Sequence, residues 1–469
     1  MINRHLAVLI LAAGKGTRMG GATPKVLHES LEGPLLLSVL KSSSALSPER
    51  IVVITGFQAK EVEDAAQQWH EESAPDTCLR FAFQKEQKGT GDAARSALKD
   101  LNDFSGEILI LCGDAPLITS ESLDSLLSTH RKENATVSVL TALLPNGGSY
   151  GRIVRSESNG EFIAIREARD CTPLELRIQE VNSGVYVVDS AYLPGALQQL
   201  ESSNSQGEFY LTDIIEKAVQ EGQRVSTALT SSPEEIQGVN TFADLVSVNR
   251  VIERRILQQH LQGGVTILSP ETTSIHRSAT IGAGTIIGPS TRIGDGVRIG
   301  KNVTIEGLSY IQHSEIGDEA ELRWGIRIEG ATVGRKCLVG PFAHLRPETI
   351  LEDEVKIGNF VETKKATLHE GAKASHLSYL GDCDIGPQVN IGAGTITCNY
   401  DGYKKSKTTI GKGAFIGSNT SLVAPVTVGD GATIGAGSTI TKNVEKDSLS
   451  LTRAEQREIP GWSKKKRKT

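Results

Sequence analysis

Apolar positions in the second half of the chain recur every six residues. From Ile281 the chain reads IGAGTI, IGPSTR, IGDGVR, IGKNVT and IEGLSY, with an aliphatic residue opening each block at Ile281, Ile287, Ile293, Ile299 and Ile305. After slips of one residue the beat resumes at Val339, Leu345, Leu351 and Ile357, then at Ile385 and Ile391. It closes with Ile410, Ile416, Leu422, Val428, Ile434 and Ile440. A period of six fits neither a helix, at 3.6, nor a plain strand, at two. It fits a short strand followed by a turn, with a small residue just past each aliphatic one. Such hexapeptide repeats predict a parallel β-helix in which three short faces make one coil. The aliphatic side chains then stack as ladders inside a prism, each coil burying its interior against its neighbours. Roughly nine coils, one strand spacing of about 4.8 Å apart, would make a rod of about 43 Å. A Gly-rich β-sandwich is the alternative, but it would not hold a period of six over so many repeats.

The first half has a different pattern. Leu6–Leu11 is a continuous apolar run, as expected of a parallel strand covered on both faces. It runs into LAAGKGTRMGGATPK, Leu11 to Lys25. In that loop Gly14 and Gly16 let the backbone approach an anion, the amides can form an anion-binding nest, and Arg18 and Lys25 add positive charge. The loop is neither a P-loop, which would end in G-K-[ST], nor a dinucleotide fingerprint, which needs Gly or Ala where Met19 stands. Arg50–Thr55 and Glu107–Leu111 read as further buried strands, and Thr136–Thr141 as another. Asp114 follows the second of these, where open α/β sheets bind ligands, and is assigned a metal-binding role over that of a helix cap. Polar stretches at Gln84–Gly91, Ser149–Ile153, Glu167 and Glu180–Tyr186 punctuate this half. Thr241 with Asp244 resembles a capping box, and helical periodicity runs from Phe242 to Gln262 before Gly263-Gly264 ends it. The expected domains are therefore 1–240, a connecting helix at 241–263, and 264–469, with the β-helix running to about Val444.

Two stretches depart from the six-residue beat. Asn359–Lys365 (NFVETKK) and Thr397–Thr409 (TCNYDGYKKSKTT) read as polar loops interrupting a rigid scaffold, where function often sits. His376 and Tyr379 lie between them. The terminal KKKRK, Lys464 to Lys468, reads as a solvated tail.

Composition agrees with a narrow-cored solenoid joined to another domain: 469 residues, 48 of them glycine, with aromatics at 4%. The net charge of −6 argues against general binding to nucleic acid or anionic membranes. The six cysteines are scattered without a C-x-x-C pair, so neither a disulfide scaffold nor a zinc site is indicated. The apolar start is short and enters a glycine loop directly, which reads as a buried strand rather than a signal peptide. No stretch is long enough to span a membrane, and a cytoplasmic location is expected.

Taken together, these residues closely resemble the bacterial bifunctional N-acetylglucosamine-1-phosphate uridyltransferase/glucosamine-1-phosphate N-acetyltransferase family, over nearly the whole chain and in the family's order. The resemblance implies a Rossmann-like α/β nucleotidyltransferase domain and a left-handed parallel β-helix that forms a homotrimer. It implies acetyl transfer from acetyl-CoA to glucosamine 1-phosphate, then uridylyl transfer from UTP to N-acetylglucosamine 1-phosphate with Mg2+. Position by position, Leu11, Ala12, Ala13, Gly14, Gln84, Gly89 and Thr90 match the nucleotide site, and Arg18 and Lys25 the basic pair at the phosphates. Gly151, Glu167 and Asn182 match the sugar contacts, and Asp114 and Asn240 the magnesium ligands. In the second half Arg346, Lys364, Tyr379 and Asn390 match the sugar-phosphate site and His376 the catalytic base. Ala393, Asn399, Tyr400, Ser418, Ala436 and Arg453 match the acetyl-CoA region, which the family places between subunits. Cys112 stands where some members have Tyr, Asp92 where His is common, and Gly21 where Ser is common.

The chemistry suits these residue types. Uridylyl transfer is an in-line attack on the α-phosphorus of UTP, so positioning and charge neutralisation dominate. Magnesium prefers carboxylate, amide and phosphate oxygens. Acetyl transfer needs a free amine, and an imidazole, with an ordinary pKa of about 6.5, is suited to take its proton. Two rival readings remain at this level: a single pyrophosphorylase whose β-helix is only an oligomerising arm, and a non-enzymatic solenoid. The first leaves His376 and the 397–409 stretch unexplained, the second the loop from Gly14 to Lys25.

Overall fold

The computed structural model describes residues 5–202 and 207–466. The chain divides into two compact units, Met1–Ile252 and Glu253–Thr469. In the first, the strands β1 (Leu6–Leu11), β2 (Arg50–Thr55), β3 (Cys78–Phe83) and β4 (Glu107–Cys112) are parallel, with β1 paired to both β2 and β4. Next come β5 (Val137–Leu143), the pendant hairpin β6 (Arg152–Arg155) and β7 (Phe162–Arg166), then β8 (Glu180–Asp189) and β9 (Val225–Leu229). The sheet order is β9-β5-β8-β4-β1-β2-β3, with β8 antiparallel to both its neighbours. Alternation explains the unbroken apolar run of β1. Ala7 and Leu9 enter the core layer on one face of the sheet, and Leu6, Val8 and Ile10 the layer on the other. The carboxyl ends of β1 and β4 lie side by side, because Leu11 pairs with Cys112. The loops leaving them therefore share one edge of the sheet.

The helix Phe242–Gln262 opens with a reciprocal cap. The Asp244 amide donates to Thr241 Oγ1 at 3.2 Å, and the Thr241 amide donates to Asp244 Oδ2 at 2.8 Å. At its other end the Gly264 amide bonds the Leu261 carbonyl at 3.1 Å, with φ of +85° at Gly264.

In the second unit three ladders of short parallel strands form the faces of a prism. One face stacks eleven described strands, from Thr266–Ile267 to Leu449–Ser450. The other two faces form one continuous sheet, because Glu362–Leu368 and Tyr379–Ile385 each run round the corner between them. This is the parallel β-helix that the period of six predicts, longer at both ends than the rhythm alone suggests. Ile267 and Ile275 already point inward, and the last rung lies beyond Val444. Every aliphatic beat position is buried except Ile281, which is half-buried near the first coil. Burying each such side chain is worth about 1.5–3 kcal/mol, so the repeated ladder, rather than any one contact, holds the unit.

The two irregular stretches have different outcomes. Asn390 pairs with Phe415, 25 residues on, whereas Phe415 pairs with Thr433, 18 residues on. The extra length is the polar stretch between Ile396–Cys398 and Thr408–Ile410, which is a true insertion. Asn359–Lys365 is no loop. Asn359 ends one strand and Glu362 opens the next, and Thr363 points inward. Its hydroxyl meets Thr349 Oγ1 at 3.0 Å, so a polar residue keeps the beat by finding a partner inside. In the terminal tail Trp462–Lys466 is a short helix, and Arg467 and Lys468 lie outside the described residues.

Candidate active sites

The first site lies where the loops after β1 and β4 meet the segment that leads into the Phe242 helix. Gly16 has φ of +64°, and a Cβ there would fall 2.6 Å from Lys25 Cβ. A glycine therefore lets the loop fold back and bring Lys25 under it. The Lys25 ammonium forms an ion pair with Asp114 Oδ2 and donates to Asn240 Oδ1 at 3.1 Å. Arg18 donates to the same Asn240 oxygen at 3.3 Å. The Val239 amide bonds the Asp114 carbonyl at 2.9 Å, which ties the two oxygen-bearing segments together at the backbone. Thus Arg18, Lys25, Asp114 and Asn240, far apart in sequence, share one charged centre.

Two cavities flank this centre. One of about 340 Å³ is lined by Leu11, Ala13, Gly14, Lys25, Gln84, Gly89 and Thr90. Ala12, buried in the core, lines neither cavity. Gln84 is fixed by the Gly89 carbonyl at 3.2 Å and Asp92 Oδ2 at 2.9 Å, which gives Asp92 a structural role. Thr90 Oγ1 accepts from the Leu211 amide at 3.1 Å. The second cavity, of about 690 Å³, is bordered by Arg18, Asp114, Tyr150, Ser183 and Asn240. Gly151, Glu167 and Asn182 cluster behind that wall. The Asn182 amide bonds the Gly151 carbonyl at 2.9 Å, and a Cβ on Gly151 would lie 3.5 Å from Glu167 Oε1. The Asn182 side chain is already engaged by Tyr186 OH at 2.8 Å and the Gly184 amide at 3.0 Å. Burial raises the Glu167 carboxyl above its ordinary range, with Asp170 and Asp213 adding to the effect against a bond from Thr212. Cys112 borders both cavities, and burial, reinforced by Asp114, pushes its thiol up to about 12, so it presents a neutral group.

Asp114 and Asn240 offer one carboxylate and one amide oxygen, hard donors suited to magnesium. Both oxygens already converge on one positive charge, the Lys25 ammonium, so the donor set fits a cation. No group of three or more His, Cys, Asp or Glu is arranged for a metal among the described residues. Further ligands would have to be phosphate and water oxygens.

The second site runs along one edge of the β-helix. His376 is level with Asn359 in the coil before it. Lys373 and Ala374 pair with Asn390 and Ile391, so Ala393 comes level with His376 in the coil after it. Ser418 and Ala436 follow in the same column, linked by the Asn419 amide to the Ala393 carbonyl at 2.7 Å and the Gly437 amide to the Ser418 carbonyl at 2.8 Å. Arg453 ends the column, donating to the Ala436 carbonyl at 3.2 Å. His376, Ala393, Ser418, Ala436 and Arg453 are thus a single row. His376 Nδ1 lies 2.7 Å from Asn359 Oδ1. With Nδ1–H donating to that oxygen, Nε2 is left as the acceptor.

The next corner gathers charge. The Arg346 amide bonds the Thr363 carbonyl, Lys364 is level with Gly381, and Asn399 donates to Asp382. Lys364 has its pKa lowered by Lys405 first, then by Arg346, a mark of crowded positive charge that an anion would relieve. Tyr379 is level with Glu362, which Arg346 bonds at 2.7 Å, and its hydroxyl lies over Gly381, where a Cβ would fall 2.6 Å from it. Tyr400 pairs with Lys405 across the inserted loop. Asn390 lies three residues before Ala393 on the His376 edge. Sequence reasoning missed Asn359 as the histidine's partner and Lys405 as a member of the cationic corner. Both sat inside stretches already marked as irregular.

A nucleotidyltransferase unit joined to a hexapeptide-repeat transferase is the class this architecture defines. Residues 7–233 match the Nucleotidyl transferase family. Residues 266–369 match the GMPPB C-terminal domain and residues 407–442 the Bacterial transferase hexapeptide (six repeats). Among curated relatives, the Bifunctional protein GlmU of Trichlorobacter lovleyi is 44% identical, covering 98% of each chain. That of Geotalea uraniireducens is 42% identical over 99% of this chain and 100% of its own. That of Clostridium novyi is 41% identical over 98% of this chain and 99% of its own. The chain belongs to the bifunctional GlmU family. The hexapeptide match and the stacked parallel ladders fit the left-handed β-helix that the resemblance implies.

Proposed function

We infer that this protein is a bifunctional enzyme of UDP-N-acetylglucosamine synthesis. It transfers the acetyl group of acetyl-CoA to glucosamine 1-phosphate and then joins the product to UTP, releasing pyrophosphate. The observation that carries the reading is two separate polar clusters on one chain, each suited to one of the two reactions: Lys25 bridging Asp114 and Asn240, and His376 held by Asn359. A pyrophosphorylase with an inert arm would need only the first.

We assign uridylyl transfer to 1–240, the connection to 241–263 and acetyl transfer to 264–469. In the first site Arg18 and Lys25 neutralise the phosphates that leave, while the cavity from Leu11 to Thr90 takes the nucleotide and the Gly151, Glu167 and Asn182 side takes the sugar. Asp114 and Asn240 would hold Mg2+, which would supply positive charge to offset that of the phosphates when bound. Lys25 then moves from its present partners to a phosphate oxygen. In the second site His376 Nε2 accepts the amine proton as nitrogen attacks the thioester carbon, and the carbon–sulfur bond then breaks to release coenzyme A, whose thiolate takes up a proton. The Arg346, Lys364 and Tyr379 corner holds the sugar phosphate, with Asn390 beside it. The row from Ala393 through Ser418 and Ala436 to Arg453, with Asn399 and Tyr400, takes acetyl-CoA.

We assign a homotrimer. The edge that carries His376 continues through earlier coils as Phe360, Phe342, Trp324 and Leu308, and onward as Leu377, all large apolar side chains between 39% and 63% exposed. Four of them, Leu308, Phe342, Phe360 and Leu377, have positive φ, and Phe342 stacks on Phe360. Left-handed backbone costs such residues about 1–2 kcal/mol each, so glycine or asparagine would serve better at a solvated corner. Cover by other copies of the chain accounts for that choice. No helix among the described residues is long and apolar enough to cross a membrane, and we assign the enzyme to the cytoplasm. Assaying both transfers on the purified full-length chain tests the reading: both activities are expected, and uridylyl transfer alone would reduce the β-helix to an arm.

A further inference from the structure

The segments carrying Asp114 and Asn240 are joined a second time, behind the charged centre, by Glu235. Its side chain is only 1% exposed, yet its partners are hydroxyls and amides. Oε2 accepts from the Thr119 amide at 3.1 Å and the Thr119 hydroxyl at 2.8 Å. Oε1 accepts from Ser231 Oγ at 2.5 Å and the Ser232 amide at 3.2 Å. Thr119 caps the helix Ser120–Glu133, which begins where the Asp114 loop ends. Ser231 and Ser232 open the turn Pro233–Ile236 that leads to Asn240. One carboxylate therefore holds the loop after β4 against the segment before Asn240, and each of its two oxygens accepts two hydrogen bonds.

A buried ionised carboxylate is costly unless several donors satisfy it. A capping box needs only the Ser232 side, and a helix cap only Thr119. Using one anion for both makes sense if the spacing between the two segments matters. The Val239 amide bonding the Asp114 carbonyl at 2.9 Å joins the same two segments closer to the charged centre. With two struts, Asp114 Oδ2 and Asn240 Oδ1 are held at the separation at which both reach a single cation.

We propose that Glu235 is a positioning residue for uridylyl transfer, setting the distance between Asp114 and Asn240 so that together they bind the divalent cation of the nucleotide complex. This rests on the magnesium role assigned to those two residues above. Removing a supporting group behind metal ligands typically costs about 10–100-fold in metal affinity.

The test uses Mn2+ as the probe, with free ion counted by electron paramagnetic resonance in the presence of UTP, on the full-length protein. Glu235→Gln is expected to weaken Mn2+ binding about 10–100-fold. It should raise the Mg2+ needed for half-maximal uridylyl transfer in parallel, with a smaller loss of rate at saturating metal. Acetyl transfer should be unchanged. A Glu235→Gln protein that melts earlier but binds Mn2+ like the wild type would make Glu235 a purely structural residue and overturn the proposal. Should that variant not fold, Ser231→Ala removes one donor only, and unchanged Mn2+ affinity there overturns the proposal equally. A wild-type protein that binds no Mn2+ with UTP would instead remove the metal role of Asp114 and Asn240, which the variants alone cannot do.

Discussion

His376 and Asn359 face each other across adjacent coils, the imidazole Nδ1 2.7 Å from the amide oxygen. The contact fixes the ring and, with Nδ1–H as donor, aims the basic Nε2 outward. His376→Ala is expected to lower acetyl transfer by about 10²–10⁴-fold, the usual cost of losing a general base. Asn359→Ala should lower it less and leave substrate affinity near normal, because the base remains but its tautomer and orientation are no longer set. Both variants should keep uridylyl transfer and their circular dichroism. Full acetyl transfer by His376→Ala would move the base elsewhere, and loss of both activities would make the histidine structural.

Lys25→Ala and Arg18→Ala are each expected to cut uridylyl transfer by two decades or more, a scale of about 3 kcal/mol in the transition state. The reason is charge: in the roles assigned above, each cation would meet phosphate oxygens whose negative charge grows as the bond to pyrophosphate breaks. Acetyl transfer, measured on the same preparation, should persist. Near-normal nucleotidyl transfer by either variant would remove the phosphate role from the loop.

Asp114→Ala is expected to lose most magnesium-dependent uridylyl transfer and to raise the magnesium needed for what remains, leaving acetyl transfer untouched. Asp114 is the only anionic protein ligand proposed, so its loss should weaken the ion more than Asn240→Ala does. Metal titration of both activities provides the comparison. An unchanged magnesium requirement would leave Asp114 as the ion-pair partner of Lys25 alone.

Asp213 gives the first unit a pH dependence of known sign. Burial, with Glu216 and Asp170 adding repulsion, pushes its carboxyl up to about 6. A folded-state pKa above the unfolded one favours folding while the group is protonated. That contribution is complete below the unfolded value of about 3.9 and is lost as pH rises through the folded value. Asp213→Asn is therefore expected to raise the unfolding midpoint near pH ~8 and to do little near pH ~4. Thermal melts at the two pH values measure it, and an equal gain at both would show that the carboxylate's charge is not the cause.

Local pattern determined a good deal. The period of six is a statement about inward-facing positions, and in a β-helix each coil repeats the same local problem, so Ile287 to Ile305, Val339 to Ile357 and Ile410 to Ile440 were legible without knowing any contact, whereas the buried Ile311, Ile316, Leu322, Ile328 and Val333, where the spacing slips, were not. The apolar run of β1, the glycine at Gly16 and the reciprocal cap of Thr241 and Asp244 are likewise set within a few residues. The resemblance to a known family then supplied roles that spacing could not. Where the pattern failed, a single partner decided the outcome: Asn359–Lys365 looks like an interruption until Thr363 finds Thr349 inside the prism. Distances across the chain belong to the tertiary structure alone. Lys25 meets Asp114 and Asn240 because β1 pairs with β4 and the Val239 backbone bonds that of Asp114, and Glu235 becomes a strut only once two segments more than a hundred residues apart lie side by side. The row proposed for acetyl transfer is the clearest case. His376, Ala393, Ser418, Ala436 and Arg453 are unevenly spaced in the sequence, because the coil between Ala393 and Ser418 carries the insertion. Only backbone hydrogen bonding between successive coils, which absorbs that extra length into a surface loop, sets the first four in one line, and the Arg453 side chain joins them through the Ala436 carbonyl.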